Sequence, residues 1–176
     1  RRVLDRVAAA VEQQQTLSTS GQVTLVGHSS GGVMLRLYLS DDAFQGRRYG
    51  GSDRCNRLVT LGSPHQAIRA TPLRAMVDRR YPGCHQAGVD YVAVAGELAL
   101  SAAMASAFSR RSAGGSYKSI VGDAAVTGDG LVPVCSALLK DARHLVLNAT
   151  AHGGLFGAPW YGSPERVQSW WRFAQG

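Results

Sequence analysis

A chain of 176 residues with 45% hydrophobic and 18% charged residues has the balance of one globular domain with material for a core. No apolar run reaches the roughly 18 residues of a membrane span, and no signal-peptide pattern is present. The formal charge of +7 is nearly all arginine. Its basic residues come as scattered pairs (Arg47-Arg48, Arg79-Arg80, Arg110-Arg111) without interleaved aromatics, which gives nucleic-acid binding no support. A dispersed solvated surface is the plain reading, with peripheral contact to anionic lipid as the alternative. Cys55, Cys84 and Cys135 are too scattered for a disulfide scaffold or a zinc site. An odd count without a secretion signal favours reduced thiols, and a soluble cytoplasmic or plastid-like protein over a secreted one.

In chain order, apolar residues at Val3, Leu4, Val7, Ala8 and Val11 predict an amphipathic helix over 1–15. After Ser18-Thr19-Ser20-Gly21 a strand is expected at 22–27, then a mostly buried helix to about 41–42. A glycine-rich loop over 45–53 leads to a strand at 57–62. Residues 66–88 read as irregular around one short helical run. A third strand is expected at 91–96, an alanine-rich helix at 97–109, and a short strand or extended connector at 117–121. A loop at 127–133, a short helix at 136–139, a last strand at 143–147 and a helix at 165–173 complete the pattern. Strand and helix alternating at this spacing predict a mostly parallel sheet in an α/β/α arrangement.

Chemistry concentrates where the first strand ends. Gly27-His28-Ser29-Ser30-Gly31 is a G-x-S-x-G segment between a β-branched run and a helical one. That context predicts a strained strand-to-helix turn that lifts the Ser29 hydroxyl above the sheet. Glycines at 27 and 31 would remove Cβ atoms where strand and helix nearly touch. The N–H of Ser30, at the helix start, is the natural first donor of an oxyanion hole. A serine needs a histidine base and a carboxylate behind it. Asp129 lies in Gly128-Asp129-Gly130, a loop where it could equally be a turn aspartate. His152 follows the last strand beside Gly153-Gly154. The order serine, acid, histidine makes Ser29, Asp129 and His152 the candidate catalytic triad, with Asp123 as the reserve acid. His28 is expected to pack and to point away from the acid loop. His65 is expected to shape a pocket wall, since as a base it would precede the acid. No metal ligand set is evident.

The elbow, Thr60-Leu61-Gly62-Ser63-Pro64-His65, the Gly128–Pro133 loop, the His152 loop and Trp160-Tyr161-Gly162-Ser163-Pro164 together resemble the α/β-hydrolase superfamily. More narrowly they are similar to its lipase-like members, including a cyanobacterial and plant-plastid group similar to GPI inositol-deacylases. The resemblance implies ester hydrolysis by Ser29, His152 and Asp129 without metal or cofactor, on a small-molecule or lipid ester. It implies that 66–88 and 97–116 are inserted segments roofing the acyl pocket. In such hydrolases the early central strands and the second oxyanion donor precede the elbow, so this chain is expected to be a C-terminal portion with N-terminal strands missing. An acyltransferase or thioesterase with the same triad, or a non-catalytic lipid-binding protein of the same fold, are the alternative readings.

Overall fold

Leu58 and Val59 are neighbours on one strand, and both are fully buried. Successive strand residues face opposite ways, so their sheet must be covered on both sides. The computed structural model, which describes residues 1–176, has that arrangement. In chain order the elements are α1 (Arg2–Leu17), β1 (Val23–His28), α2 (Ser30–Leu39) and a small hairpin of β2 (Ala43–Phe44) and β3 (Arg47–Arg48). After a 3-10 turn at Gly51–Asp53 come β4 (Cys55–Leu61), α3 (Pro72–Arg80), β5 (Asp90–Glu97) and α4 (Ala107–Val121). The chain closes with α5 (Val134–Ala137), β6 (Arg143–Asn148) and α6 (Pro164–Gln175).

The central sheet has four parallel strands in the order β1-β4-β5-β6, with Leu25 beside Leu58, Val59 beside Val92 and Val94 beside Leu145. One face, with Leu25, Leu58, Tyr91 and Ala93, packs on Leu4, Ala8 and Val11 of α1 and on Val33, Leu35 and Leu37 of α2. The other, with Val59, Leu61, Val92, Val94 and Leu147, packs on Trp170 and Ala174 of α6. These buried runs are what a parallel sheet sandwiched between helices demands. β1 has a strand on one side only and forms an edge of the sheet, with Val26 44% exposed. At the opposite end of the strands Asp90 accepts from both Arg57 and Arg143, tying the starts of β4, β5 and β6 together.

Three expectations change. Residues 98–105 form turns, and the helix begins at Ala107, capped by the Ser106 side chain, which accepts from Ser109 N–H at 3.0 Å. The segment 117–121, expected as a strand or connector, is the last part of that helix: Ala113, Tyr117 and Ile120 recur at helical spacing and bury one face. The crowding expected at Gly31 falls on Gly32 instead. A Cβ on Gly31 would meet nothing within 4 Å, whereas one on Gly32 would lie 2.9 Å from Ser63 Cβ and Thr60 Cγ2. Gly27 behaves as expected, since its Cβ would come within 2.6 Å of the Gly32 backbone. The three cysteines are unpaired, and no helix is long and apolar enough to cross a membrane.

Candidate active site

β1 ends at His28 and α2 begins at Ser30, so Ser29 alone makes the turn. Its backbone takes φ 56° and ψ −133°, a strained combination for a residue with a side chain. The strain is held from two sides. Ser29 N–H donates to the Leu61 carbonyl at 2.9 Å, and Gly32 N–H donates to the Ser29 carbonyl at 3.2 Å. Ser30 is the first residue of α2, where a backbone N–H has no partner within the helix.

Asp129 and His152 are tied together twice. Their side chains meet at 2.8 Å, Nδ1 to Oδ2, and His152 N–H donates to the Asp129 carbonyl at 2.8 Å. The carboxylate is 1% exposed and saturated with donors. Oδ1 accepts from the N–H groups of Leu131 and Val132 at 3.1 and 2.8 Å. Oδ2 accepts from the Tyr161 hydroxyl at 2.9 Å as well as facing His152. Burial, and then the charge of Asp129, pushes the Tyr161 hydroxyl well above its ordinary pKa of 10.0, so it remains a donor. With Asp129 as acceptor, the proton of a neutral His152 resides on Nδ1 and Nε2 keeps its lone pair. Ser29 Oγ and His152 Nε2 make no hydrogen bond, with each other or with another group. Such contacts commonly tighten only when substrate is bound.

The remaining candidates separate clearly. Asp123 is exposed and accepts from Ala125 N–H at 2.8 Å, while the carboxylate bonded to His152 is that of Asp129. His28 does not point away. Its Nε2 donates to the His152 carbonyl at 2.8 Å, and the two rings lie 4.7 Å apart. Burial, reinforced by His152, lowers its pKa below 6.5. His65 is 2% exposed and is absent from the lining of the groove beside Ser29, which its neighbour Pro64 does line. Its Nε2 meets Thr60 Oγ1 at 3.1 Å and its Nδ1 accepts from the buried guanidinium of Arg36 at 3.3 Å. Burial, then Arg36, holds its pKa well below 6.5, so it stays neutral. Tyr161, the other group on the acid, was hidden in the sequence as part of a loop motif.

A groove of about 570 Å³ opens on Ser29 and Ser30. Val33 and Met34 of α2 and Leu131 and Val132 of the acid loop line it, and it runs between the start of α3 and the end of α4. Among solved structures the chain is similar to the mature form of a Bacillus licheniformis lipase, with a TM-score of 0.58 and 20% sequence identity. The match covers 83% of this chain and 64% of that one, so the chain spans less than two thirds of the lipase's length. The fold is that of the α/β-hydrolases. No family model matches the sequence, and a search of curated proteins returned no match. Within the α/β-hydrolase fold, Ser29, Asp129 and His152 all lie beyond the carboxyl ends of the strands, where open α/β sheets bind ligands.

Proposed function

We propose that this chain carries a serine esterase or lipase site. Ser29 Oγ attacks the carbonyl carbon of a carboxylic ester while His152 Nε2 takes its proton. The tetrahedral oxyanion is met by the N–H of Ser30 at the positive end of α2. His152 then protonates the departing alcohol, leaving an acyl group on Ser29, and water reverses the sequence to release the acid. Asp129 orients the imidazole and stabilises it when charged. The observation that carries this reading is the doubly tied Asp129–His152 pair, with His152 held against His28, the residue before a serine in a strained turn. A carboxylate with four donors and a buried histidine are costly to assemble merely to fill a core. No step draws on a metal or cofactor. The finer likeness, to proteins similar to GPI inositol-deacylases, rests on the elbow, the Thr60–His65 segment and the Asp129 and His152 loops together, with Trp160–Pro164 fitting it too, and is consistent with a small-molecule or lipid ester as substrate.

Ser29→Ala is expected to lower p-nitrophenyl butyrate hydrolysis by about 10³ or more, with circular dichroism unchanged. Asp129→Asn should cost about 10⁴ through the wrong histidine tautomer, and Asp123→Asn little. A Ser29→Ala variant that keeps most of its activity would refute the assignment.

A further inference from the structure

The groove beside Ser29 is built from two unlike kinds of surface. Part of its lining is apolar, from residues such as Val33, Met34, Leu73 and Ile120, and would serve a substrate chain as a floor. Arg69 and Arg74 also line it, and no carboxylate does. Neither guanidinium makes a hydrogen bond, and neither takes part in an ion pair. The chain's seven arginine–carboxylate pairs all lie elsewhere, on Asp5, Glu12, Asp41, Asp42 and Asp90. An adjoining hollow shares Arg69 and Ser119 with the groove and adds Lys118, again without a carboxylate. Asp78, one turn beyond Arg74 on α3, lines a separate cavity with Gln66 and Val121 and does not reach Arg74 within ion-pair distance.

One unpaired surface arginine carries no message, because exposed charge is usually just solvated. Two lining the same groove, with a lysine in the adjoining hollow and no carboxylate in the lining of either, create a potential of one sign in a cleft. Such clefts concentrate oppositely charged ligands. The arginine fork also matches a carboxylate or phosphate in geometry, which a point charge does not.

We infer that the groove selects esters bearing a negative charge at the end of an apolar arm. The arm lies along the floor from Ser29, and its terminal carboxylate or phosphate is held by Arg69 and Arg74. This rests on Ser29 acting as the nucleophile and names the substrate class for that site. Two measurements test it separately. The first compares mono-p-nitrophenyl adipate with p-nitrophenyl hexanoate, which share the scissile bond and chain length and differ in the terminal charge. The wild-type chain should favour the adipate monoester at least tenfold in kcat/KM, through KM. That ratio should fall about tenfold in the Arg69→Gln/Arg74→Gln variant. The second titrates octyl phosphate and inorganic phosphate into the Ser29→Ala variant, with and without the two arginine substitutions. Octyl phosphate should bind saturably, about tenfold more weakly without the arginines, and inorganic phosphate far more weakly than either. An adipate-to-hexanoate ratio that the arginine substitutions leave unchanged would overturn the inference. So would octyl phosphate binding that is absent, indifferent to the arginines or matched by inorganic phosphate. Octyl phosphate binding as expected, with neither ester hydrolysed, would instead overturn the nucleophile reading and leave the anion site standing.

Discussion

Tyr161→Phe isolates one bond in the site without changing the volume of the ring. The lost hydroxyl donates to Asp129 Oδ2 at 2.9 Å, and both residues are 1% exposed. No space is left for water to replace it. A Cβ on Gly96 would lie 2.9 Å from the hydroxyl, and one on Gly62 would lie 2.9 Å from it and 2.7 Å from Asp129 Oδ2. A hydrogen bond to a charged group contributes about 1.5–3 kcal/mol. Removing the donor leaves no orphaned proton, and the carboxylate keeps three other partners. The low end of the range therefore applies, about 1.5–2 kcal/mol at neutral pH. For a chain of this length that is a fall of about 3–8 °C in Tm. Because His152 still faces Asp129, kcat/KM should drop by about tenfold or less, against about 10⁴ for Asp129→Asn. Urea unfolding followed by tryptophan fluorescence suits the test, since Trp170 Nε1 donates to the Tyr161 carbonyl and reports on the same region. Stability within about 0.3 kcal/mol of wild type at unchanged m-value would refute the reasoning, and would mean that the three remaining partners hold the carboxylate unaided.

The elbow glycines should respond unequally. Gly32→Ala drives a methyl against Ser63 and Thr60 and should cost about 1–3 kcal/mol, whereas Gly31→Ala meets open space and should stay within about 0.5 kcal/mol; equal thermal shifts for the two would contradict the packing described. Stability should also fall as the solution is acidified. Burial, with Arg36 nearby, lowers the pKa of His85 from 6.5 to about 4, so the unfolded chain binds that proton first. His85 therefore contributes stability that is complete above 6.5 and is lost as pH falls towards 4, and His65 acts in the same direction. The urea midpoint should drop between pH 7.5 and 4.5, and His85→Phe should flatten the drop; a wild-type midpoint constant over that range would count against it.

What could be read from the sequence was whatever is local. The elbow announces itself in five residues because strand, strained turn and helix start are consecutive. Asp129 is legible for the same reason, since two glycines and the Leu131 and Val132 amides make its cradle within the five residues 128–132. His28 and Tyr161 were misread or missed because their partners are 124 and 32 residues away, and nothing in a linear pattern signals such contacts. Arg36 is similar: on a helix surface an arginine reads as solvated, yet it is fully buried with its guanidinium on His65 and the Tyr81 carbonyl. The boundaries of α4 failed for another reason. Gly114 and Gly115 lie between the helix expected at 97–109 and the segment at 117–121, yet both sit inside α4, where a Cβ on Gly114 would touch only Ala124 and one on Gly115 would meet open space. The buried face of Ala113, Tyr117 and Ile120 outweighs two weak helix formers.

The double tie between Asp129 and His152 has a consequence for how disturbances spread. The aspartate loop follows α4, while the histidine loop follows β6 and is held against Glu97 by the Thr150 amide at 3.3 Å. Joined through main chain and side chain at once, the two loops are expected to open together. Either both keep their register or both open, so the amide of His152 exchanges with solvent only in that joint opening. A substitution far away, in the packing of α4 or at the far end of β6, that favours the opening lowers the fraction of molecules with an assembled site while leaving every site residue in place.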